Sequence, residues 1–131
     1  MANLELLNRE FPRLRKKLDF GEFHPDLAGN SVDVWVNLSA DFEQRLTEHQ
    51  AQGDEIERRQ EAATATDEED TELAAMQEQR RAETAAIYAE MWDCTEEEFQ
   101  ALIVLDAGLT VWLFRRTWEL VREYRAGHTK N

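Results

Sequence analysis

Residues 31–38 alternate strictly: Val32, Val34, Val36 and Leu38 fall on one side, Asp33, Trp35 and Asn37 on the other. A period of two carried by β-branched residues predicts a strand with one buried face. A lone strand is unstable, so it needs a neighbour. Residues 15–20 supply one as a hairpin through a long loop marked by Gly21, Pro25 and Gly29-Asn30; a strand from a second subunit is the alternative. Before them, Leu4, Leu7, Phe11, Leu14 and Leu18 are spaced for a helix face, but Pro12 removes a donor and clashes with the preceding turn. A short helix over 4–10 followed by extended chain is expected.

After the strand the period lengthens. Ser39 is suited to cap a helix, Asp41 and Glu43 complement its dipole, and Phe42 and Leu46 begin an apolar edge. That edge fades: residues 48–72 hold ten acidic groups and one large aliphatic, Ile56. Such a stretch buries too little to offset its ordering entropy, so 48–72 is a flexible acidic linker or a projecting solvated helix. Ala62-Ala63-Thr64-Ala65-Thr66 is of low complexity. Thr66-Asp67-Glu68-Glu69 and Thr95-Glu96-Glu97-Glu98 both read as capping boxes. Past the first, Leu73, Met76, Ile87 and Met91 lie within about 60° on a helical wheel, interrupted by Arg80, Glu83 and Thr84. That helix should pack only at its ends.

Residues 96–125 carry the widest apolar face, from Phe99, Leu102 and Ile103 through Leu109, Leu113 and Phe114 to Leu120, Val121 and Tyr124. Asp106 would be costly inside that face, so a break is expected there, with Asp106 capping a second helix over 109–125 and Gly127 ending it. The expected fold is α+β and predominantly helical. An N-terminal strand or β-hairpin precedes three to four helices, and the C-terminal pair forms the main core against the valine face. At 131 residues the chain makes a single domain, 1–131.

Charge narrows the function. The chain carries a formal net charge of −13, yet residues 1–20 hold five basic against three acidic groups and 115–131 five against two, leaving −18 in between. Such a surface repels phosphates and anionic lipid heads, which argues against nucleic-acid and membrane partners and for protein ones. No run is long enough to span a membrane and no signal peptide is evident, so a cytoplasmic location is expected. His24, His49 and His128 lack ligand spacing and read as ordinary loop or surface residues. Cys94 stands before a helix start with no base in a recognisable motif and reads as structural. With no phosphate loop, nucleophile elbow or metal signature, neither catalysis nor a cofactor is expected. Trp112 and Trp118 flank the apolar face beside Arg115 and Arg116; they widen the core contact or form a partner-binding edge, since Trp and Arg are enriched at hot spots. Trp35, on the polar side of its strand, suggests a second contact surface. The lone strand and surplus aromatics point to a homo-oligomer.

The order of Val32-Asp33-Val34-Trp35-Val36-Asn37-Leu38, a Ser39 helix start, a charged middle, Thr95-Glu96-Glu97-Glu98-Phe99 and a hydrophobic helix pair resembles the tail assembly chaperones of long-tailed phages. These are small, variable, often acidic, helix-rich proteins. The resemblance implies a non-enzymatic role: coating the aggregation-prone tape measure protein and bringing tail tube subunits to it. It offers no catalytic residues, and the acidic 48–72 stretch is longer than such a module needs. The competing reading is an acidic DNA mimic that inhibits a nucleic-acid-binding host protein through the carboxylates of 41–98. An enzyme or metal protein is the least supported.

Overall fold

The alternating stretch does form a hairpin. In the computed structural model, which describes residues 1–62 and 66–129, β1 (Arg15–Asp19) pairs antiparallel with β2 (Ser31–Trp35), Arg15 opposite Trp35 and Asp19 opposite Ser31. Leu18, Val32 and Val34 turn inward, as the period of two requires. Val36 is buried just beyond the strand, which ends three residues before the expected limit of 38. The connection folds through 3-10 turns at Phe20–Glu22 and Pro25–Leu27, and Gly29 takes φ +93°, a conformation strained for other residues. Residues 4–10 form no α-helix; one 3-10 turn, Glu5–Asn8, stands there instead.

Four helices follow: α1 (Ala40–Ala62), α2 (Asp67–Trp92), α3 (Glu96–Ile103) and α4 (Ala107–Thr129). Ser39 Oγ accepts the Phe42 amide, Thr66 Oγ1 the Glu69 amide, and Thr95 with Glu98 completes a reciprocal capping box. Asp106 Oδ2 accepts the Leu109 amide at 2.9 Å, so the carboxylate that would have been costly inside one long helix starts the second. Gly127 does not end α4, which continues to Thr129.

The acidic stretch is helical as far as residue 62; residues 63–65 of the low-complexity run lie outside the described residues. α1 packs along α2, and the expectation that α2 packs only at its ends fails there. The middle of α2 meets α1 through polar groups. A Cβ on Gly53 would fall 2.5 Å from the Arg80 guanidinium, so the missing side chain lets Arg80 lie against α1. One turn away, Thr84 Oγ1 and His49 Nε2 are 2.9 Å apart.

The core gathers where the C-terminal turns of α2 meet the hairpin, α3 and α4. Ala85, Ile87, Met91 and Trp92 of α2 join Leu18, Val34, Val36, Phe99, Leu113 and Val121. The C-terminal helix pair thus packs around α2 as well as the valine face. Trp92 Nε1 donates to Thr117 Oγ1, which donates to the Leu113 carbonyl at 2.7 Å, satisfying both buried polar side chains. Arg15 secures the hairpin to this centre: its guanidinium donates to the carbonyls of Asp33, Glu90 and Met91. The last two belong to the final turn of α2, which has no basic residue of its own there. Asp93, at φ 52°, then turns the chain out of α2.

Candidate protein-interaction surface

The five residues singled out by sequence separate into core and surface. Trp35 is 4% exposed and packs on Phe42 at 4.8 Å, which overturns its reading as a second contact surface. Trp35 is the last residue of β2, paired with Arg15, and alternation still sets it opposite Val34; Phe42 of α1 covers the ring there. Trp112 is buried with its ring 5.6 Å from Phe23. Trp118 is half-buried and donates from Nε1 to Tyr88 Oη at 3.1 Å. Tyr88 is the hub of a cluster with Trp92, Phe99, Phe114 and Trp118, at centroid distances from 4.7 to 6.4 Å. Burial pushes the Tyr88 hydroxyl pKa up, so it stays protonated at neutral pH. Arg116 pairs with Glu119 at 2.8 Å and reaches Glu22 and Glu123; Arg115 lies exposed, 3.5 Å from Glu119. Both tryptophans of α4 therefore widen the core, and the two arginines knit the surface of that helix.

A run of exposed apolar residues lies elsewhere. Residues 1–14 are all exposed, and among them Leu4, Leu6, Leu7, Phe11 and Leu14 show 54, 42, 71, 63 and 46% of their area to solvent. The spacing of Leu4, Leu7, Phe11, Leu14 and Leu18 suits a helix face, but of the five only Leu18 is buried. Pro12 stands between the 3-10 turn and β1, where the break is expected.

The arm is exposed along its length and fastened at its root. Asn37 organises the fastening: its Nδ2 donates to the Pro12 carbonyl, and its Oδ1 accepts both the Leu14 amide at 2.7 Å and Trp35 Nε1 at 2.8 Å. Arg13 stacks 4.1 Å from the Trp35 ring centroid and pairs with Glu90 at 2.9 Å. Glu90 also pairs with Arg45 of α1 at 2.8 Å. Burial pushes its pKa up, but the two arginine hydrogen bonds and charges outweigh that and hold it below the ordinary carboxylate value. Beside this root, Phe11, Pro12, Trp35, Leu38 and Tyr124 line a groove of about 590 Å³. A smaller exposed patch, Val104, Leu105 and Val111, marks the turn from α3 into α4.

Among the described residues, no group of three His, Cys, Asp or Glu could hold a metal, and no helix is long and apolar enough to cross a membrane. Burial, with Glu98 and Asp93 nearby, pushes the Cys94 thiol pKa up, the reverse of what a nucleophile requires. His24 Nδ1 accepts the Asp26 amide in the loop. His49 is no surface histidine; it sits at the α1–α2 contact. The chain matches no protein-family model, no curated protein and no solved structure.

Proposed function

We propose that this protein is a non-enzymatic assembly factor that captures an apolar, helix-forming segment of another protein and keeps it soluble. The exposed arm carries the reading: five large apolar side chains stand in water on a tether fixed by Asn37, Arg13 and Glu90. Contiguous exposed apolar surface marks an interaction site. The rest of the chain supplies the solubility such a task demands, with net charge −13 carried largely by α1 and α2. This is the division of labour expected of a phage tail assembly chaperone, with the tape measure protein as the captured chain and tail tube subunits as the cargo brought to it.

Co-expression tests the proposal. A tape measure protein made with the wild-type chain stays in the soluble fraction and co-purifies with it. Made with the Leu4→Ser, Leu7→Ser, Phe11→Ser variant, it sediments. Equal solubility with both overturns the role of the arm. The ordering of residues 48–62 as helix also suits a second reading, a phosphate mimic, because carboxylates then stand on a firm scaffold. Arginines interrupt those rows, however: Glu55 pairs with Arg58 and Arg59, and Glu78 with Arg81. Cations set among the carboxylates interrupt the even run of negative charge that a phosphate backbone presents.

A further inference from the structure

The hairpin leaves one strand edge open. The Leu14 carbonyl accepts the Val36 amide, and the Phe20 amide donates to the Asn30 carbonyl. Antiparallel ladders alternate hydrogen-bonded and non-bonded pairs, so Lys16 and Leu18 bond inward to Val34 and Val32. Arg15, Lys17 and Asp19 therefore direct their amides and carbonyls outward. On the far side of β2 the equivalent groups face the body of the protein. There the Asp33 carbonyl takes the Arg15 guanidinium, and Trp92, Cys94, Leu102 and Leu105 stand across a groove of about 410 Å³. The β1 edge has no third strand among the described residues, and Lys16, Lys17 and Asp19 are exposed.

Charge selects the occupant. Arg13 and Arg15 are committed, one to Glu90 and the other to backbone carbonyls. Lys16 and Lys17 make no ion pair among the described residues, so two cations stand at the open edge, Lys17 with Asp33 across from it and Asp19 two residues along. Edge lysines oppose pairing with a like strand, since a second β1 docked antiparallel about Lys17 would set Lys17 against its own copy. A strand of opposite charge meets no such repulsion.

We propose that the outer edge of β1 docks an extended acidic segment of a partner protein, which adds as a third strand to the backbone groups of Arg15 and Lys17 while Lys16 and Lys17 engage its carboxylates. Strand addition draws affinity from main-chain hydrogen bonds and specificity from alternate side chains. This site does not depend on the arm: one takes a polar extended chain, the other an apolar helix, and either can fail alone.

The test titrates the full-length protein with a synthetic peptide alternating Glu with Val and Thr, and follows amide hydrogen exchange residue by residue. The expected result is slowing of the Arg15 and Lys17 amides by at least about tenfold at saturation, with Lys16 and Leu18, already bonded to β2, unchanged. Lys17→Pro removes an outward donor without touching an inward bond and should weaken binding by at least about tenfold. Lys16→Gln, Lys17→Gln keeps every backbone group and should weaken binding mainly at low salt. No slowing at Arg15 and Lys17 overturns the proposal, as does equal binding of the matching Lys-for-Glu peptide. Protection of those same amides that grows with protein concentration in the free chain overturns it too, by assigning the edge to a second copy.

Discussion

Thr117 shows how one polar atom can hold a core in register. It is fully buried on α4, accepts from Trp92 Nε1 and donates its own O–H to the Leu113 carbonyl. Thr117→Val keeps the shape but leaves the indole N–H without a partner, which should cost about 1–3 kcal/mol in denaturant unfolding. Adding Trp92→Phe removes the stranded donor, so the double variant should lose less than the sum of the singles; strict additivity would contradict the pairing. The sequence marks Thr117 only as a polar residue within an apolar face. Trp35 was misread for a related reason. Its side of the strand is polar by alternation, but Phe42, seven residues on, folds over it, and alternation carries no information about that contact.

Elements were easier to foresee where a local signal and a burial pattern coincided. β2, the Ser39, Thr66 and Thr95 helix starts and the Asp106 break each combine the two, and all are present. The α1–α2 contact was not legible, because its middle is built from groups that read as solvated. Gly53 matters there for the side chain it lacks, and Arg80 and Thr84 looked like an interruption of the apolar face. Within that contact His49 faces Arg80, Thr84 and Glu83 of α2, while Arg45 on its own helix reaches Glu83 at 3.7 Å. Its Nδ1 is buried without a partner. Burial first, then the Arg80 charge, lowers its pKa from the ordinary 6.5, with Glu83 opposing. The unfolded chain therefore takes up the proton more readily than the folded one. The contribution is fully favourable above pH 6.5 and declines as pH falls towards the lowered folded value. Unfolding midpoints measured from about pH 7.5 to about pH 5.5 should fall for the wild type and fall less for His49→Gln. Parallel curves would show that the buried imidazole is indifferent to its neighbours.

Taken together, the chain places its polar and apolar surfaces at separate addresses. The acidic α1–α2 pair extends from a core centred on Trp92, Phe99 and Leu113, and the apolar arm hangs from the opposite partner of Glu90. Composition announced the first of these; the second escaped notice because leucines at helical spacing usually mean a core face, and only their distance from any covering element reveals them as exposed. Apolar capture through the arm and phosphate mimicry by the helices predict opposite responses to salt. The deciding measurement is calorimetric titration of the protein with an alanine-rich amphipathic segment of a tape measure protein at low and high ionic strength. Capture through Leu4, Leu7 and Phe11 predicts a negative heat-capacity change, affinity that varies less than about threefold with salt, and loss of binding when the three are changed to serine. Binding that collapses with salt and ignores the arm would contradict it.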